Sequence, residues 1–280
     1  MPLEAALYLV ATPIGTAADI TLRALDILRT ADVLAAEDTR TLRRLMDIHV
    51  VPVAGRAMVP YHDHNGAAQR PRLLAALAEG RSVAFASDAG TPLIADPGYA
   101  LARAVREAGY PVRAAPGASA VLAALSVAGM PTDQFFFAGF APPKAGARTT
   151  FLQAVAQVPS TLVFYESPRR LAAMLAAMAT QFGDAREVAV CRELTKRFEE
   201  VRRGTLGDLR DAYADEATPK GEIVIVVGPP LTAEVDDSVI AERLTALMKT
   251  HSTRDAAQLI QDEFGIPRKT AYQMALDLAD

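Results

Sequence analysis

Apolar residues in the first 115 positions come in runs of four or five, separated by longer stretches where they recur every three or four residues. The runs Leu7–Ala11, Asp32–Ala36, Val83–Ser87 and Val112–Ala115 predict buried strands, with a weaker one at Met58–Tyr61. The stretches Ile20–Thr30, Thr39–Ile48, Ala67–Glu79 and Tyr99–Ala108 have helical spacing. Asp19 is placed to cap the first helix, and Asp96-Pro97 to give the fourth a cap and a first-turn proline. Gly80 and Gly109 stand where the third and fourth helices end. Strand-helix alternation with such short joints predicts a mainly parallel sheet covered by helices.

The rhythm changes after Pro116. Helical patterns over Ser119–Ala128, Ala145–Gln157 and a stretch ending at Phe182 alternate with strands at Phe135–Phe140 and Thr161–Tyr165. Further strands at Glu187–Arg192, Glu199–Arg203 and Glu222–Val227 follow one another with little helix between, which predicts a mixed sheet. Gly228-Pro229-Pro230 and Asp236-Asp237 read as a linker. Beyond it, helices are expected at Val239–Lys249, Thr253–Phe264 and Pro267–Leu278, and the joint Gly265-Ile266-Pro267 resembles that of a helix-turn-helix. The expected division is therefore 1–116, 117–230 and 231–280.

Composition narrows the class. Of 280 residues, 51% are hydrophobic and 22% charged, and the net charge is −4, which excludes a disordered chain. A single cysteine excludes an intrachain disulfide framework and a four-cysteine zinc site. No apolar run reaches the length of a membrane span, and the start lacks a basic leader region, so a cytoplasmic protein is expected. The acidic balance means that any contact with nucleic acid rests on local basic patches.

Ligands of open parallel sheets bind beyond the carboxyl ends of the strands. Four polar segments fall there: Thr12–Gly15, Glu37–Arg40, Tyr61–Asn65 and Ser87–Pro92. Each alone is ordinary turn composition, but four on one edge mark a site. Neither G-x-G-x-x-G nor G-x-x-x-x-G-K-[ST] is present, so the usual dinucleotide and triphosphate loops are not supported. Pro13 lacks an N–H, which favours a ligand held through carbonyls and apolar contact over a phosphate.

These segments are also the ones that carry a resemblance. Leu7–Gly15, Ala36–Arg40, His62–Asn65, Ser87–Gly98, Pro116–Ala120, Phe164–Arg170, Arg192–Lys196 and Lys220–Glu222 are similar, in order and over nearly the whole chain, to the ribosomal RNA small-subunit methyltransferase I family. Thr16-Ala17-Ala18-Asp19 departs from that family's usual Asn-Leu-x-Asp. The resemblance implies the tetrapyrrole-methylase fold: two α/β domains with a cleft between them and a helical C-terminal segment. It implies S-adenosylmethionine (SAM) as cofactor, a homodimer, and 2′-O-methylation of a cytidine ribose in the decoding region of 16S ribosomal RNA within the 30S particle. The alternatives are a methylase of tetrapyrroles or other small molecules, and a ligand-sensing helix-turn-helix regulator.

Carried over by motif, Pro13, Gly15, Asp88, Ala89, Thr91, Leu93, Ile94, Ser119, Ala120, Tyr165, Leu194, Lys220 and Gly221 would line the cofactor. Transfer of a methyl group to a hydroxyl needs alignment and a proton acceptor. Glu37 and Glu166 are the leading candidates, with Asp38, His62 and Asp63 as other available bases; helix capping competes for Asp38. Arg40, His62, Lys144, Arg170 and Lys196 are the candidate RNA contacts. His62 and His64, two apart, would share a face on an extended strand but lack a third ligand, so no metal is expected. Cys191 reads as a small core residue.

Overall fold

The computed structural model describes residues 2–231 and 237–278. Ten strands and eleven α-helices lie among them, in two compact units divided at Pro230 and Leu231. Part of the expected linker, including Asp236, lies outside the described residues.

The first sheet contains β1 (Leu7–Val10), β2 (Val33–Ala36), β3 (Ala57–Pro60), β4 (Val83–Ala86) and β5 (Val112–Ala115), all parallel, in the order β3-β2-β4-β1-β5. Its helices are α1 (Leu22–Thr30), α2 (Thr39–Ile48), α3 (Gly66–Ala78) and α4 (Tyr99–Glu107). Alternation along the strands sorts the core into two layers. Tyr8, Val10, Leu34, Ala36, Ala84 and Ala86 face α1 and α2, whereas Leu7, Val33, Ala35, Val83 and Phe85 face α3 and α4. From β1 the chain travels outward over β4 to β2, and from β4 it travels the other way over β1 to β5. The topological switch point, where a crevice opens, therefore lies between β1 and β4.

The second sheet is mixed, as its spacing predicts. It contains β6 (Phe135–Phe140), β7 (Thr161–Glu166), β8 (Glu187–Arg192), β9 (Glu200–Thr205) and β10 (Ile223–Val227), in the order β6-β7-β10-β8-β9. Only β6 and β7 run parallel. Leu162, Phe164, Val188, Val190, Ile223 and Ile225 face α6 (Ala145–Val155), α7 (Leu171–Phe182) and α8 (Leu206–Asp215). The alternate residues Val163, Ala189, Cys191, Val224 and Val226 face α5 (Ala120–Ala128).

The second unit packs α9 (Asp237–Leu247), α10 (Thr253–Phe264) and α11 (Arg268–Asp277) around Ile240, Leu244, Ala257, Ile260 and Ala271. Ser252 caps α10 by accepting from Asp255 N–H, and Gly265 ends it at φ 70°. The joint falls where the sequence places it.

Three local expectations need correction. Thr21 caps α1, its hydroxyl accepting from Ala24 N–H, while Asp19 closes a preceding 3-10 turn. Helix α4 starts two residues beyond Asp96-Pro97, with Gly98 at its N-cap, so neither residue caps it. Helix α8, absent from the hydrophobic pattern, is started by a capping box in which Thr205 and Asp208 satisfy each other's backbone N–H. Gly98 stands at φ 121°, and a Cβ there would lie 2.7 Å from both Leu93 Cδ2 and Phe85 Cε1. Gly98→Ala combines backbone strain with overpacking, so urea denaturation is expected to show a loss of about 2 kcal/mol or more. Thr205→Ala should cost about 1 kcal/mol in the same measurement.

Candidate active site

The loop after β4 is tied to the loop after β1. Thr12 N–H donates to Gly90 O at 2.9 Å, Gly90 N–H donates back to Thr12 O at 3.0 Å, and the Thr12 hydroxyl donates to Ser87 O at 3.1 Å. Gly90 adopts φ 78° to make this turn. Thr91 extends the tie by donating its hydroxyl to Ala118 O, just before α5. The second sheet contributes the ends of β7 and β8 and the start of β10, which share one edge because β10 runs antiparallel to both.

These segments enclose a cavity of about 500 Å³, a size that suits a small-molecule ligand. Of the residues expected to hold a cofactor, Asp88, Ala89, Thr91, Ile94, Ser119, Ala120, Tyr165, Leu194 and Gly221 line it. Pro13, Gly15, Leu93 and Lys220 do not. Gly15 instead passes beneath the next loop, where a Cβ would lie 2.6 Å from Thr195 Oγ1 and 3.0 Å from Leu194 O. Leu93, at φ 74°, packs toward Gly98, and the exposed Lys220 accepts from Arg192 at its carbonyl at 3.3 Å.

Both proposed bases reach the wall, in different states. Glu37 is raised above its ordinary value, mainly by burial and then by the charges of Asp88 and Asp63, with His62 and the Asp88 N–H opposing. Glu166 is buried: its Oε1 accepts Ser167 N–H at 2.7 Å, and its Oε2 lies 3.1 Å from Arg170 Nη2. That ion pair occupies the Glu166 carboxylate and turns Arg170 inward, where it also donates to Ala141 O. Lys196 is likewise engaged, donating to Glu193 at 2.7 Å and to Glu222 at 2.5 Å. Both cations are thus held by carboxylates and are only partly exposed.

Arg40 remains open. Its side chain is 90% exposed while Asp38 holds it in place, and that pairing draws the Asp38 carboxyl down to about 2. Lys144 is exposed at the start of α6, four residues beyond the cavity-lining Phe140. His62 and His64 lie beyond the end of β3, in a turn instead of on an extended strand, with ring centroids 6.0 Å apart. The buried His62 Nδ1 has no hydrogen-bond partner among the described residues. Among the described residues no group of three or more His, Cys, Asp or Glu side chains is placed to hold a metal ion.

Several wall residues escape sequence reasoning: Ile14, Asp96, Phe140, Cys191, Glu222 and Val224. Asp96 matters most. Burial first, then Glu37 and Asp88, pushes its carboxyl up to about 6, with the Ser87 hydroxyl opposing. Its look as a helix cap hid it; Gly98, two residues later and able to cap, was the signal. Burial also pushes the Cys191 thiol up to about 11 and the Tyr165 hydroxyl up to about 12, so neither ionises near neutral pH.

Among the described residues the wall carries the carboxylates of Glu37, Asp88, Asp96, Glu166 and Glu222 and no lysine or arginine. Ile14, Ile94, Ala120, Leu194 and Val224 supply its apolar part. Such a site suits a ligand that is part apolar and part cationic, and it repels phosphate.

Known proteins give this geometry its context. Residues 6–210 match the family of tetrapyrrole (corrin/porphyrin) methylases, and residues 233–279 match the RsmI C-terminal HTH domain. A ribosomal RNA small subunit methyltransferase I from Mesorhizobium japonicum is 49% identical, over 100% of this chain and 94% of its own. The protein of that name from Escherichia coli O157:H7 is 41% identical, over 97% and 94%. Among solved structures, the uroporphyrin-III-C-methyltransferase of Thermus thermophilus shares 25% identity at TM-score 0.56, covering 80% of this chain and 94% of its own. A diphthine synthase, at 15% identity and TM-score 0.62, covers 80% and 90% and shares the fold. The chain belongs to the ribosomal RNA small subunit methyltransferase I family, on the fold of the tetrapyrrole methylases.

Proposed function

We propose that this enzyme methylates the 2′-oxygen of a cytidine ribose in the decoding region of 16S ribosomal RNA, acting on the 30S particle as a homodimer with SAM in the cavity. The acidic, half-apolar wall carries the reading. SAM is a cation at its sulfonium and its ammonium group, and Glu37, Asp88 and Asp96 offer the opposite charge. The apolar wall suits the adenosine part, and Ser119 and the 88–91 turn bring backbone groups close. A related uroporphyrin-III C-methyltransferase from Thermus thermophilus was solved in complex with S-adenosyl homocysteine, which supports the same cofactor here.

SAM supplies an electrophilic methyl group; everything else falls to the protein. The cavity gathers the reacting groups, and its edge positions the ribose. RNA phosphates are kept out of the acidic interior and gather at the rim, where the exposed Arg40 and Lys144 stand. The relatives' names and the match of the C-terminal segment favour ribosomal RNA over a tetrapyrrole as substrate.

Incubation with radiolabelled SAM and 30S particles lacking the modification should place label on one cytidine as its 2′-O-methyl nucleoside, in mapping by nuclease digestion. Label on a base, or on a tetrapyrrole only, contradicts the assignment. Neutralising the rim cation in Arg40→Ala should weaken RNA binding and flatten its logarithmic salt slope by about one, with SAM binding unchanged in calorimetry. Lys196→Ala should leave that slope unchanged, because its charge already serves Glu193 and Glu222.

A further inference from the structure

Five carboxylates line the cavity, and their partners separate them. Glu166 is taken by Ser167 N–H and Arg170, Glu222 by Lys196, and Asp88 Oδ1 accepts Asp38 N–H at 3.0 Å. Among the described residues, Glu37, Asp88 and Asp96 form no ion pair with a lysine or arginine, and of these Asp88 is held by the Asp38 N–H. Glu37 receives the Asp88 N–H and stands toward Asp63 and His62, the polar turn after β3. The Ser87 hydroxyl, which donates to Gly90 O at 3.0 Å, opposes the rise of the Asp96 carboxyl. Asp96 lines the same cavity as Glu37 and Asp88 of the first sheet and Tyr165 of β7 of the second, and feels the charges of Glu37 and Asp88.

The backbone around Asp96 is held in an unfavourable shape. Leu93 and Ala95, neither of them glycine, adopt φ 74° and 60°, and Gly98 at φ 121° is wedged against Leu93 and Phe85. Left-handed backbone at two side-chain-bearing residues costs free energy, and such strain collects where a side chain must be aimed. Here it aims a carboxylate into the cavity.

We infer that Asp96 is the general base of the reaction, taking the proton of the ribose hydroxyl. The inference rests on the ribose-methylation reading above. As the ribose oxygen bonds to the methyl carbon, its O–H electron pair stays on oxygen and the proton passes to the Asp96 carboxylate. The S–CH₃ bond breaks with its electron pair going to sulfur, so the sulfonium leaves as a neutral thioether. Burial and the flanking negative charges of Glu37 and Asp88 make Asp96 a stronger base than an ordinary aspartate, while it stays ionised at neutral pH. The Ser87 hydroxyl opposes that shift, and Tyr165 on the facing sheet stays neutral.

Single-turnover methylation of 30S particles across pH 5–8 tests this alongside calorimetry with S-adenosylhomocysteine. The wild-type rate should rise about tenfold per pH unit up to about 6 and then level off. Asp96→Asn should lose about a hundredfold or more in rate together with that rising limb, and keep S-adenosylhomocysteine affinity within about threefold. Asp96→Glu should restore part of the rate. Independently of turnover, carboxyl-carbon NMR of the cofactor-free enzyme should show a titration near 6 that Asp96→Asn removes. A wild-type rate in Asp96→Asn overturns the inference, as does a rising limb that persists there and vanishes in Glu37→Gln. Loss of affinity in proportion to rate also overturns it, making Asp96 a cofactor anchor instead. A wild-type enzyme that methylates no ribose contradicts the underlying reading, a separate result.

Discussion

The active site depends on one close approach between loops of the two sheets. The turn after β1 passes under the loop after β8 with no room for a side chain at Gly15. Next to it, Thr16 N–H donates to Thr195 Oγ1 at 3.2 Å, and the Thr16 hydroxyl donates to Thr195 O. The upper loop pays for this fit in backbone strain, with Glu193 at φ 52° and Thr195 at φ 63°. Its shape is kept by the Glu193 carboxylate, which accepts from both Lys196 and Glu222 N–H. Lys196 thus belongs to the clasp that closes the cavity.

Charge is divided by depth. Cations exposed near the site, such as Arg40 and Lys144, stand at loop and helix starts, whereas the charged groups of the interior wall are carboxylates. Such an interior wall attracts cationic groups and repels phosphate. Burial raises the carboxyls of Glu37, Asp88 and Asp96, and neighbouring carboxylates add to it: Asp88 and Asp63 for Glu37, Asp38 for Asp88, Glu37 and Asp88 for Asp96.

The strands and helices of the first sheet were readable because buried parallel strands are short and wholly apolar, as Val83–Ala86 shows. Helix α8 was not, because its start is set by the Thr205–Asp208 capping box and not by a long apolar stripe. At the site, loops beyond strand ends could be named from topology, so Asp88, Thr91 and Ile94 were within reach. Partnering was not. The pairing of Glu166 with Arg170, and of Lys196 with Glu193 and Glu222, joins residues whose availability depends on packing that spacing does not encode. Asp96 failed for a different reason: Asp-Pro before a helix is ordinary capping chemistry, and only the backbone of Gly98 reveals that the cap lies elsewhere.

The central claim is that the cavity closed by the Gly15 approach holds the cofactor. Gly15→Val forces the 194–196 loop away, because the new Cβ meets Thr195 Oγ1 and the Leu194 carbonyl. Calorimetric titration of this variant with S-adenosylhomocysteine, its helical circular dichroism unchanged, tests the claim most directly. The account predicts affinity weaker by at least about tenfold, since about 1.4 kcal/mol of lost contact suffices. Wild-type affinity in a folded Gly15→Val protein would contradict it and place the cofactor elsewhere.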